Sequence, residues 1–101
     1  MAQFDIYKNN NLESALDFPY LLDIQADILS GLETRVVVPL SENIKAIKHL
    51  NPEFKIEKKT YTLLTQELAG VHKSALGQLC GSLQENRSEI IAALDFMVSG
   101  F

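Results

Sequence analysis

The chain has 101 residues, 47% of them hydrophobic, with a formal net charge of −4 at neutral pH and a pI near 5.0. That length and apolar content suit one domain with its own core and exclude a disordered chain. The acidic balance, with no basic stripe to offset it, argues against nucleic acid as the main ligand, and no apolar run approaches the ~20 residues that span a bilayer.

The start, Met1 to Asp5, lacks the basic and apolar regions of a signal peptide. A single cysteine, Cys80, leaves no internal disulfide to form. Together these point to a soluble cytoplasmic protein without a membrane partner.

In chain order, Phe4-Asp5-Ile6-Tyr7 alternates apolar and polar residues, a short strand pattern. Lys8 to Ser14, with Asn9, Asn10 and Asn11, has the chemistry of a polar turn. Tyr20 to Ile24 follows Pro19 and reads as a second strand, whereas Gln25 to Gly31 fits either a helical turn or a strand end. Arg35 to Leu40 is the strongest strand, and its Pro39 belongs at a strand end, an edge or a bulge. Ser41 to Leu50 fits a short helix capped by Ser41 and blocked by Pro52. Phe54 to Lys58 and Thr60 to Leu64 read as two tightly joined strands, with Lys55, Lys58 and Lys59 on a solvated surface alternating with Glu53 and Glu57. Leu68 to Val71 and Gly77 to Cys80 are short segments set off by glycines.

The last twenty residues carry the clearest signal. Ser82-Leu83-Gln84-Glu85 fits a capping box, and an unbroken run to Val98 stops at Gly100. At about 100° per residue, Ile90, Ile91, Leu94, Met97 and Val98 fall on one stripe that can cover a core. Glu85, Ser88, Glu89, Asp95 and Ser99 lie opposite, together with Ala92 and Phe96. An aromatic on that side fits a helix buried on two sides within its own fold, or a contact surface for another chain. Strands over residues 1–81 and a helix over residues 84–99 suggest a single domain, 1–101. Its architecture is a small antiparallel β-barrel or strongly bent sheet with the helix laid across it.

Reactive constellations are sparse. His49 and His72 stand apart without metal-ligand spacing, and Cys80 has no adjacent base. Asp23 and Asp27 form the closest carboxylate pair in an apolar setting. Such residues more often accept backbone amides at a turn than do acid–base work. No phosphate-binding glycine loop is present. The expectation is a binding protein rather than an enzyme, with no catalytic residue, metal or cofactor.

Four ordered motifs nonetheless match a known pattern. They are Gln3-Phe4-x-Ile6-Tyr7, Asp23-Ile24-Gln25-Ala26-Asp27-Ile28-Leu29, Arg35-Val36-Val37-Val38-Pro39-Leu40, and Glu89-Ile90-x-x-Ala93-Leu94-Asp95-Phe96 followed by Gly100 and an apolar last residue. In these the chain resembles the CcdB family, toxins of bacterial toxin–antitoxin modules that poison DNA gyrase. The resemblance implies an SH3-like antiparallel barrel with a small additional sheet and a C-terminal helix. It also implies a homodimer whose paired chain ends enter the gyrase A dimer and trap gyrase on cleaved DNA. A cognate antitoxin would displace the toxin through a flexible C-terminal segment, and the pair would bind operator DNA to repress their own operon.

By position, the resemblance assigns gyrase contact to Asp95, Val98, Ser99, Gly100 and Phe101. Antitoxin contact falls to Ala26, Ile28, Leu29, Asp95 and Gly100. Ser99 stands where the family pattern carries tryptophan, Ala26 where it carries serine, and Gly100 is retained. Two alternatives share the barrel: a messenger-RNA-cleaving ribonuclease toxin, and a non-toxic homologue that binds only antitoxin.

Overall fold

The computed structural model describes residues 1–100. Seven strands form: β1 Asp5–Asn9, β2 Tyr20–Asp23, β3 Thr34–Ser41, β4 Glu53–Ile56, β5 Lys59–Leu63, β6 Ala69–His72 and β7 Leu76–Ser82. One α-helix, α1 Arg87–Ser99, follows them. Every pairing is antiparallel, in the order β4-β5-β3-β2-β1-β7, with β6 added alongside β3. The result is a curled half-barrel with a C-terminal helix, as the sequence and the resemblance both implied.

β3 holds the sheet together because it changes partner along its length. Thr34 to Val37 pair with β6, and Leu40 and Ser41 pair with β5. Pro39 sits at the changeover. Its carbonyl accepts from the Leu64 N–H at 2.9 Å on that side, so the ladder loses little by the missing proline donor there. Pro39 is therefore neither at the end of β3 nor on an outer edge of the sheet. On the other side β3 runs unbroken against β2, from Tyr20↔Leu40 to Asp23↔Val37.

Side chains alternate across these central strands and build two cores. The larger contains Phe4, Ile6, Tyr20, Leu22, Val38, Leu40, Phe54, Ile56, Tyr61 and Leu63, with Ile90 of α1 closing it. On the opposite face Tyr7, Leu21, Val37 and Leu76 form a smaller cluster. The expected strand starting at Phe4 begins one residue later. Phe4 is fully buried with φ 71°, and its N–H donates to the Asp23 carbonyl at 2.6 Å. A left-handed backbone thus delivers the ring into the core before the strand begins.

β4 and β5 are joined by Glu57 and Lys58, at φ 49° and 74°. Two successive left-handed residues are what a two-residue hairpin with native twist requires, although neither residue favours that conformation. Gly77 on β7 has a different reason. A Cβ there would meet Asn10 Oδ1 at 2.7 Å and the Lys8 carbonyl at 3.0 Å, so glycine lets the end of β1 pass closely.

Two further expectations change. The proposed helix over Ser41 to Leu50 does not form: the stretch is irregular, with Asn43 and His49 left-handed at φ 56° and 70°. Ser41 is the last residue of β3, and its hydroxyl donates to the Asp17 carbonyl instead of capping a helix. The terminal helix also starts late. Ser82 is still paired with Asp5, and the Leu83 N–H still donates to Phe4, so the chain leaves the sheet through a 3-10 turn at Gln84–Asn86. Ser82 Oγ accepts from the Gln84 N–H at 3.1 Å, one half of the capping box. The other half does not form: Asn86, the residue before α1, makes no side-chain cap, and its Nδ2 donates to Glu89 Oε1 at 3.3 Å instead.

Candidate functional site

The Asp23 to Leu29 motif folds into a turn built around buried polar groups. Asp23 Oδ1 accepts from the Gln25 N–H at 3.0 Å, and Asp27 Oδ1 accepts from the Gln3 N–H at 2.7 Å. Both carboxylates therefore hold backbone amides. Gln25, 5% exposed, accepts from the Val36 N–H and donates to the Leu29 carbonyl at 2.9 Å. These bonds anchor a 3-10 turn at Asp27–Leu29. Ala26 is exposed, Ile28 is 91% exposed and Leu29 is 48% exposed. An ordered turn that spends its polar atoms inward and its isoleucine outward is a surface suited to a partner.

The second part is the end of α1. Ile90 and Ala93 are buried, while Ile91 and Leu94 pack partly against the same core. Val98, placed on the core stripe by periodicity, is instead 83% exposed. The apolar stripe of the helix therefore reaches solvent at Val98, while Met97 beside it stays partly buried. Asp95 and Ser99 are exposed beside it, and Ser99 Oγ donates to the Asp95 carbonyl at 2.7 Å. Gly100 ends the helix in the left-handed region at φ 79°, with its N–H on the Phe96 carbonyl at 2.8 Å. Nothing lies within 4 Å of where a Gly100 Cβ would stand, so within the chain it is the backbone angle that demands glycine. Phe101, the last of the expected gyrase contacts, lies outside the described residues.

Phe96 answers the question posed by an aromatic on the polar side. It is partly buried, with its ring centroid 5.7 Å from that of His49 at a 47° inclination. The irregular 42–51 stretch thus covers a second side of the helix.

Titratable groups group in ways that spacing did not reveal. Asp23 and Arg35 are both buried. Arg35 Nε donates to Asp23 Oδ2 at 2.8 Å, and Nη2 lies 2.6 Å from the same oxygen, off the hydrogen-bond axis. At the rim of β3 and β6, His72 Nε2 stands 3.6 Å from Glu33 Oε2, and Lys73 Nζ stands 3.3 Å from that oxygen. His72 Nδ1 faces Ser74 Oγ at 2.9 Å and accepts from the Ser74 N–H. Thr34↔His72 pairing brings this cluster together from residues 39 positions apart in sequence (33 and 72), which spacing alone could not show. Cys80 is partly buried, with its thiol on the Gln78 carbonyl. No group of three metal-ligating side chains occurs among the described residues.

A family model described as CcdB protein matches residues 3–100. The chain belongs to the CcdB family. It is thus a toxin-family protein of the toxin–antitoxin type. Two solved structures share the fold. An endoribonuclease in complex with its cognate antitoxin, from a mycobacterial species, superposes with a TM-score of 0.81 at 15% identity, covering 97% of this chain and 94% of its own. A second, an endoribonuclease from a mycobacterial species, has a TM-score of 0.76 at 15% identity, covering 97% and 90%. These two overturn the expectation that this CcdB-family chain is not an enzyme: its fold, nearly end to end, is one that proteins named endoribonucleases use. No helix among the described residues is long and apolar enough to cross a membrane.

Proposed function

We propose that this CcdB-family chain is a toxin that binds the A subunit of DNA gyrase through the end of α1 and holds gyrase on cleaved DNA. The contact set is Asp95, Val98, Ser99, Gly100 and Phe101. The single observation that carries the reading is the exposure of Val98, 83% open on the last turn of a helix whose earlier apolar residues are buried. Two copies related by a twofold axis would present two such ends to a symmetric cleft, so engagement of the second end needs no separate encounter. A cognate antitoxin segment would neutralise the toxin by covering Ala26, Ile28 and Leu29 together with Asp95 and Gly100. The pair would then act jointly on operator DNA.

The test is capture of gyrase A by the purified protein, followed by an assay for cleaved-DNA complexes. Full-length protein retains gyrase A and accumulates cleaved DNA, and a chain ending at Val98 does neither. Retention by both chains would remove the end of α1 from the mechanism.

A second reading is ribonuclease activity, supported by the fold shared with named endoribonucleases and by the exposed Glu33–His72–Lys73–Ser74 cluster. There Glu33 would accept the proton of a ribose 2′-hydroxyl as its oxygen bonds to phosphorus. His72, whose Nδ1 accepts from the Ser74 N–H, would position Glu33 through Nε2, and Lys73 would offset phosphate charge and protonate the departing 5′-oxygen. Sequence-selective cleavage of RNA that disappears in His72→Ala selects this reading over the first.

A further inference from the structure

Between the 47–52 stretch and the outer side of α1 lies an open cleft of about 510 Å3, lined by His49, Asn51, Pro52, Glu89, Ala92 and Phe96. One wall is built from the inside. Asn51, 4% exposed, accepts from the Ile47 N–H at 2.9 Å and donates to the Leu63 carbonyl at 3.0 Å and to Gln66 Oε1 at 2.8 Å. With Pro52 next to it, this pinned asparagine fixes the loop that carries His49. His49 itself holds a left-handed backbone, φ 70°, a cost that a non-glycine residue bears only where its surroundings impose it. The result is that His49 of this wall stands against Phe96 of α1, ring to ring.

The other wall is one face of α1. Glu89, Ala92 and Phe96 follow at helical spacing, so a carboxylate, a methyl and a ring stand in line. Ala92 leaves the space between the carboxylate and the ring open. Glu89 is exposed, and among the described residues its carboxylate accepts only from Asn86, at 3.3 Å on Oε1. The lining contains a carboxylate and aromatic rings but no lysine or arginine.

We propose that this cleft receives the guanidinium of an arginine side chain presented by a partner protein. A guanidinium lies flat against aromatic rings while its N–H fork meets a carboxylate. An ammonium matches only the charge. The proposal does not depend on which macromolecule the end of α1 engages, because the cleft lies on a different side of the helix from Val98.

The experiment titrates the full chain with N-acetyl-arginine methylamide and follows the side-chain resonances of His49 and Phe96. The citrulline and lysine counterparts are titrated in parallel. Saturable shifts with arginine, weakened about tenfold or more in Glu89→Gln, are expected. Ala92→Leu keeps the carboxylate and fills the cleft, and it removes the response as well. Citrulline or lysine binding as well as arginine, or unchanged affinity in either variant, overturns the assignment. An absence of shifts at His49 and Phe96 overturns it too.

Discussion

Asp23 and Arg35 illustrate how much one buried pair decides. Asp23 lies opposite Val37, so Arg35 is its diagonal neighbour on the same face of the sheet. One carboxylate there holds both a guanidinium and the Gln25 amide that begins the Asp27–Leu29 turn. Asp23→Asn leaves a buried arginine without its counter-charge and lowers stability by about 3–5 kcal/mol, read from the urea midpoint. The acceptor role of Asp23 was legible from its place before a turn. Its ion pair was not, because the partner is supplied by strand register. Tyr61 makes a second residue-scale prediction. Burial first, and Tyr20 second, push its hydroxyl up to about 12. The unfolded chain releases that proton near pH 10, so the folded state binds it more tightly. The associated stability is complete below about pH 10 and is lost as pH rises through about 12. Tyr61→Phe shallows that decline, measured as urea midpoints against pH. Tyr7 and Tyr20, also raised by burial, account for the slope that remains.

At the scale of elements, α1 divides into a part that supports the core and a part that does not. Ile90→Ala empties a fully buried position and costs about 2–5 kcal/mol. Val98→Lys, at 83% exposure, changes stability by no more than about 0.5 kcal/mol. On the proposed reading it nevertheless abolishes retention of gyrase A, and the contrast between thermal melting and capture checks both halves. Periodicity placed Ile90 and Val98 on one stripe, correctly as geometry. It carried no information on which of the two the folded domain covers. The hairpin between β4 and β5 offers the reverse case. Lys58→Gly relieves a left-handed residue at φ 74° and raises stability by roughly 0.5–1 kcal/mol in denaturant titration.

For the whole molecule, the decisive quantity is assembly. The proposed mode of action needs two chain ends side by side, and equilibrium sedimentation of the purified protein should report twice the monomer mass of 11.3 kDa. A monomer at micromolar concentration would leave a single end and remove the match to a symmetric cleft. The fold admits more than one toxin chemistry, since a half-barrel with a C-terminal helix also serves proteins named endoribonucleases. On the two readings proposed above, mutation at the end of α1 and mutation at the Glu33–His72 rim would have opposite consequences for gyrase capture and RNA cleavage.

Local order was written in local patterns. Alternation marked β1, short apolar or β-branched runs marked β2 to β5, helical spacing marked α1, and Gly100 marked its stop. Strand alternation and helix periodicity act over a few neighbouring residues and survive without knowledge of the rest. Contacts between distant segments obey no such rule. The sharing of β3 between β5 and β6, the burial of Arg35 against Asp23 and the seating of His49 on Phe96 each join segments far apart in the chain. So does the meeting of Glu33 with His72. Only the tertiary fold brought each of those groups to its partner, and only that fold decided that Ile90 is covered and Val98 is not.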